Sequence, residues 1–133
     1  MYLNCKTYFS FKYGTYSTKE LVQAAADNGV TALALTNINS TCDTWDFVQY
    51  CREAGIKPVC GAEIRNGDTL LYILLAANNK GLTWINEFLS VHLLEKKDFP
   101  ERAGETPFFN DLWDGFVVYP LGTKPLNELF PNE

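Results

Sequence analysis

One histidine, no CxxC pair, no long apolar run and a shortage of basic residues are the first things this sequence shows. Each shortage removes a class of function. With 11 Lys and Arg against 16 Asp and Glu, the formal net charge is -5, so the chain lacks the basic surface that neutralises phosphates, and it is not expected to grip DNA by itself. The longest apolar stretch, Leu70–Ala77, falls far short of the roughly 20 residues that span a bilayer. Met1 opens on a strand-like run without a charged leader, and a cytoplasmic protein with no membrane partner is expected. His92 has no nucleophile motif beside it and reads as a packed or surface side chain. Cys5, Cys42, Cys51 and Cys60 have no histidine partners, which favours free thiols in a reducing compartment, with a thiolate metal site as the alternative.

What is present fits one folded domain, because 133 residues with 47% hydrophobic content support a single core. Tyr2–Thr7 reads as a strand. Ser17 and Glu20 form a capping box ahead of a helix with Leu21, Val22, Ala24 and Ala25, which Gly29 closes. Ala32–Thr36 is a short apolar strand, and Asp43 is placed to cap a second helix carrying Phe47, Val48 and Cys51, stopped at Gly55. A third strand, Lys57–Ile64, precedes the Asn66-Gly67 turn signal, after which Thr69–Ala76 forms a hairpin partner or a further strand. Helical spacing of Leu82, Ile85, Phe88, Leu89 and Leu93 predicts a third helix over 81–94, and Trp45 and Trp84 read as core or helix-packing residues. The segment 95–115 is polar and carries Pro100 and Pro107, so it reads as a long excursion before a last strand at Phe116–Tyr119 and an end segment to residue 133. Within it, Phe108, Phe109, Leu112 and Trp113 are candidates for an exposed docking patch. Alternating strands and helices predict a mostly parallel α/β architecture with functional groups at the strand ends.

Three strand ends carry the sequence's most specific patterns. LNCKTYFSFKYG at 3–14 resembles the opening L-H-x-H-S/T-x-Y/F-S-x-x-D-G motif of PHP domains, the polymerase and histidinol phosphatase family. ELVQAAADNGVTALALTN, REAGIKPVCGAEI and LLAANNKGLTWINEFLS resemble further family motifs in the same order, over about residues 1–94. The form resembled is the one at the N-terminus of bacterial DNA polymerase III alpha subunits. It implies a distorted, seven-stranded, TIM-like barrel, and this chain supplies about five strands, so residues 1–133 look like its N-terminal part. The final residues, Asn127–Glu133, have no helix-stop or tail character, and continuation into a longer protein is expected.

Departures from the family pattern carry the functional expectation. The resemblance implies metal-ligand positions at the first corner, after the second strand and after the third, and here they hold Asn4, Lys6, Tyr13, Asn37, Ile38 and Glu63. Only Glu63 remains a strong ligand, and Lys6 puts a fixed cation where a metal would sit. Because strand side chains alternate, Asn4 and Lys6 share a face. An ion pair of Lys6 with Glu63, hydrogen-bonded by Asn4 and Asn37, is expected to replace the metal. Neither Ser10 nor Ser17 has a base at hand.

The expected function is thus a non-catalytic, structural or partner-binding region without cofactor, inside a parent polymerase that would use Mg for DNA synthesis. Its implied partners are the rest of the polymerase chain and a proofreading or other replisome subunit, with DNA reached only through the parent. An exposed strand edge makes a homodimer a further expectation. Two alternatives stand: a metal-dependent phosphoesterase completed by a missing C-terminal half, and a stand-alone α/β interaction module.

Overall fold

Among the described residues, five strands line up in the order in which the sequence makes them: β1 (Tyr2–Cys5), β2 (Ala32–Leu35), β3 (Lys57–Asn66), β4 (Thr69–Ala76) and β5 (Gly115–Val118). This is a computed structural model, and it describes residues 1–109 and 113–133. Helices α1 (Thr18–Asp27) and α2 (Thr44–Glu53) are the crossovers that keep β1, β2 and β3 parallel. The expectation of a mostly parallel sheet needs correction here, since β3–β4 and β4–β5 are antiparallel. Asn66-Gly67, with Gly67 at φ +56°, leaves room only for a hairpin, and a hairpin reverses direction. Helix α3 (Asn79–Glu95) then spans the route to β5.

Local signals account for the helix ends. Ser17 and Glu20 close both halves of the capping box on α1. Gly29 and Gly55, at φ +67° and +70°, end the first two helices in the left-handed conformation that glycine takes without strain. Asp43 precedes α2 but makes no side-chain cap bond, because its carboxylate turns inward to other partners.

One sheet face is covered. Leu33, Leu35 and Ile56 pack with Val22, Ala25, Phe47 and Cys51 of α1 and α2. Further along the same face, Ala62, Ile64, Tyr72 and Leu74 pack with Ile85, Phe88 and Leu89 of α3. The excursion at 95–115 belongs to this second cluster, with Phe99, Ala103, Phe109 and Trp113 buried and Phe108 packed against them. Three of the four residues expected in an exposed docking patch therefore lie in or against the core, while Leu112 lies outside the described residues. Polar neighbours hid the apolar spacing: Phe109 and Trp113 meet at 4.8 Å between ring centroids, and Phe109 meets Phe88 at the same distance. His92 stacks on Phe99, and its Nδ1 lies 2.8 Å from the Phe88 carbonyl. Trp84 packs against the core, whereas Trp45, at 78% exposure, stands in water rather than in the core or helix packing expected for it.

The opposite face carries Ala34, Val59, Ile73 and Leu75, flanked by exposed Leu3, Phe116 and Val118. Met1, Leu3, Val59, Leu75, Phe116 and Val118 border a groove of about 540 Å³. At the end of this face stand the three corners.

Candidate functional site

Pairing places the corners side by side. Glu63 faces Ile73 across the β3–β4 ladder, and Ile38, just past β2, forms an isolated parallel bridge with Glu63. Asn37 O accepts from Glu63 N at 3.1 Å and Glu63 O accepts from Asn39 N at 2.8 Å, so the second and third corners are zipped by backbone bonds. Thr36 N donates to Cys5 O at 2.8 Å, which brings the first corner alongside.

The Glu63 side chain is 1% exposed, and both of its oxygens face cations. Lys6 Nζ lies 2.7 Å from Oε2, and Arg65 Nε lies 2.5 Å from Oε1. Asn4 Nδ2 donates to Oε2 at 2.9 Å, while its own Oδ1 accepts from Lys6 Nζ and Thr36 Oγ1 at 2.7 Å each. Burial pushes the Glu63 carboxyl upward, but hydrogen bonds from Lys6, Arg65 and Asn4 outweigh it and hold the group below the ordinary carboxylate value. Arg65 also reaches Tyr13: its Nη1 donates to the phenol oxygen at 3.1 Å, and the guanidinium lies 4.5 Å from the ring centroid. Sequence reasoning passed over Arg65. Its signal was simple alternation, since residues 63 and 65 of one strand share a face.

Asn37 does not join that cluster, contrary to the sequence expectation. Its Oδ1 accepts from Thr7 N at 3.0 Å and Ser10 Oγ at 2.7 Å, and its Nδ2 donates to Asp43 Oδ1 at 2.7 Å. Asp43 Oδ2 accepts from Thr7 Oγ1 at 2.9 Å and Thr18 Oγ1 at 2.7 Å. The physical reason is the strand pleat: Asn4 and Lys6 face Glu63, while Thr7 faces the opposite way, toward the start of α1. Asp43, read from sequence as a helix cap, is the hub of this second cluster.

Two cations on one carboxylate leave a net positive corner, which repels a divalent ion in a poorly screened site. Ile38 contributes only backbone, and Asn4 has both of its side-chain atoms engaged. Among the described residues no three His, Cys, Asp or Glu side chains converge on a common point. The residues at the family's ligand positions do not fit a metal.

The PHP domain family matches residues 3–116. The chain belongs to the PHP family. DNA polymerase III subunit alpha of Pseudomonas aeruginosa is 34% identical over 124 residues, covering 89% of this chain and 11% of that protein. The Haemophilus influenzae subunit is 27% identical over 135 residues, covering 93% and 11%. An error-prone DNA polymerase of Symbiobacterium thermophilum is 33% identical over 90 residues, or 68% of this chain. The PHP chain thus spans about 11% of the length of the polymerase subunits it matches, and corresponds to their PHP region. Among solved structures, an amidohydrolase from Chromobacterium violaceum with bound sulfate and no metal superposes with a TM-score of 0.55. It is 20% identical, over 71% of this chain and 34% of that one. A Bifidobacterium adolescentis protein described as a metal-dependent phosphoesterase gives 0.53 at 20% identity, over 68% of this chain and 32% of that one. These likenesses carry the fold: a partial PHP-type, TIM-like barrel.

Proposed function

We propose that this chain is a metal-free, structural PHP region acting within a DNA polymerase III alpha subunit, non-catalytic in itself. The observation that carries the reading is the seat of Lys6 Nζ, 2.7 Å from Glu63 at the point where the family's ligand positions meet. A lysine there supplies the positive charge that ties the strand ends together, and it does so without exchange or hydrolytic chemistry. Water activation by clustered metals needs several carboxylates and histidines around the ions, and this corner offers one carboxylate already neutralised twice. Template-directed DNA synthesis, with its Mg, belongs in this reading to the parent polymerase. The relatives' names support that assignment. Contact with the rest of the polymerase and with a proofreading or other replisome subunit is part of the same proposal, as is self-association through the edge strand β1.

Metal analysis by inductively coupled plasma mass spectrometry tests it, on protein purified without chelator, alongside melting curves with and without added Zn or Mn. Metal well below one equivalent and an unmoved melting temperature are expected. Stoichiometric metal with clear stabilisation would overturn the proposal and favour a phosphoesterase.

A further inference from the structure

We infer that the first corner loop, Tyr8–Tyr16, is a stacking surface for single-stranded DNA. Whole-chain charge conceals a local asymmetry. Residues 1–19 hold Lys6, Lys12 and Lys19 and no Asp or Glu, so all 16 acidic residues lie beyond Lys19 and a net charge of -5 coexists with a segment of +3.

Aromatic residues crowd the same loop and face water. Tyr8, Phe9, Phe11, Tyr13 and Tyr16 are all between 46% and 82% exposed, with Phe11 the most exposed of them. Five large exposed rings along nine residues gather apolar ring faces in one loop, the kind of clustering that marks an interaction site. The loop holds them in place. Tyr8 N donates to Tyr16 O at 2.8 Å, Ser10 N to Thr7 O at 2.9 Å and Tyr13 N to Ser10 O at 2.9 Å. The Tyr8 and Phe9 rings lie 4.7 Å apart, and Lys12 stands exposed between Phe11 and Tyr13 in sequence.

Charge chooses the occupant. An apolar peptide would match the rings but gain nothing from the lysines, whereas a single strand offers bases to the rings and phosphates to the cations. The Glu63 corner next to the loop adds no further net charge, because Lys6 and Arg65 are balanced there by Glu63 and by Asp68, 3.4 Å from the Tyr13 hydroxyl; the lysines left open to phosphate are exposed Lys12 and Lys19. A duplex keeps its base faces stacked and cannot use the rings.

The choice of DNA rests on the polymerase reading above; the stacking surface itself does not. Fluorescence anisotropy of this chain with labelled oligothymidine of about 12 nucleotides, within the usual site size, tests the inference. Binding is expected to favour the single strand over a duplex of equal length and to weaken as salt rises. Phe11→Ala should weaken it about tenfold, the size expected for one lost stacked base, with an unchanged melting temperature because the ring is exposed. Lys12→Ala should make the salt dependence shallower. Equal affinity for duplex, preference for an RNA strand, indifference to Phe11→Ala or no binding would each overturn the inference. Metal content is a separate measurement, so this surface and the metal-free reading fail independently.

Discussion

Glu63 sits at 1% exposure with cations on both oxygens, so deleting one cation and deleting the carboxylate are not equivalent experiments. Lys6→Ala leaves Arg65 in place, and a loss of about 1–2 kcal/mol is expected, below the 3–5 kcal/mol typical of breaking a buried pair. Glu63→Ala leaves Lys6 and Arg65 facing each other without a counter-charge, and should cost the full 3–5 kcal/mol in urea denaturation. If Lys6→Ala proves as costly as Glu63→Ala, Arg65 does not compensate. The pH dependence has a definite sign. A carboxyl held below its unfolded value near 4.5 contributes stability that is complete above that pH and is lost as pH falls through the lower folded value. Wild type should therefore lose more stability than Glu63→Gln between about pH 5 and 3, measured as the difference in denaturation midpoints. Alternation along β1 was enough to show in the sequence that Asn4 and Lys6 point together. Arg65 obeyed the same rule on β3 but lay outside the family's motif positions, and Asn37 could not be assigned because its partner choice depends on where Thr7 and Asp43 come to rest in three dimensions.

Among the elements, the start of α2 shows how a local signal can be right in place and wrong in role. A short polar residue ahead of an apolar periodic run reads as a helix cap, and α2 does begin after Asp43, yet the carboxylate joins Thr7, Thr18 and Asn37. That arrangement ties β1, α1 and the β2 corner to the head of α2. Asp43→Ala should strand two hydroxyls and an amide, at about 1–3 kcal/mol for each group left unsatisfied, and lower the melting temperature more than loss of an ordinary exposed cap. At the first corner, a Cβ on Gly14 would lie 1.9 Å from Thr7 O. Gly14→Ala is therefore expected to displace the loop and cost more than 2 kcal/mol, in the class of severe backbone clashes. A calorimetric scan that matches wild type would show that the loop yields. Helix ends were legible because capping box and glycine signals are local; the reversal at β4 was only half legible, since a tight turn fits a hairpin but does not say which sheet edge receives it.

At the scale of the molecule, one sheet face is clothed by three helices and the excursion, and the other is a groove with Leu3, Phe116 and Val118 exposed at its rim. The apolar core of the excursion escaped the sequence reading because its average composition is polar, while four separated residues do the packing. The barrel family was legible from motif order. The open face has a measurable consequence: sedimentation velocity should show association that grows with concentration, and Leu3→Lys, on the edge strand, should abolish it without unfolding the chain. A monomer at every concentration would remove self-association from the proposed roles.

Trp113 is buried against Phe109 with its indole nitrogen donating to Gly81 O at 3.3 Å, while Trp45 stands in water on α2. Trp84 packs against the same cluster as Trp113, so in a Trp84→Phe background intrinsic fluorescence is divided between Trp113 in the excursion and Trp45 on α2. Excited Trp113 should emit to the blue and resist acrylamide quenching, and Trp45 should emit to the red and be quenched at once. Loss of the blue component before the helical circular dichroism signal would show the excursion lifting off while α1 and α2 remain folded, so one cuvette can follow the order in which the parts come undone.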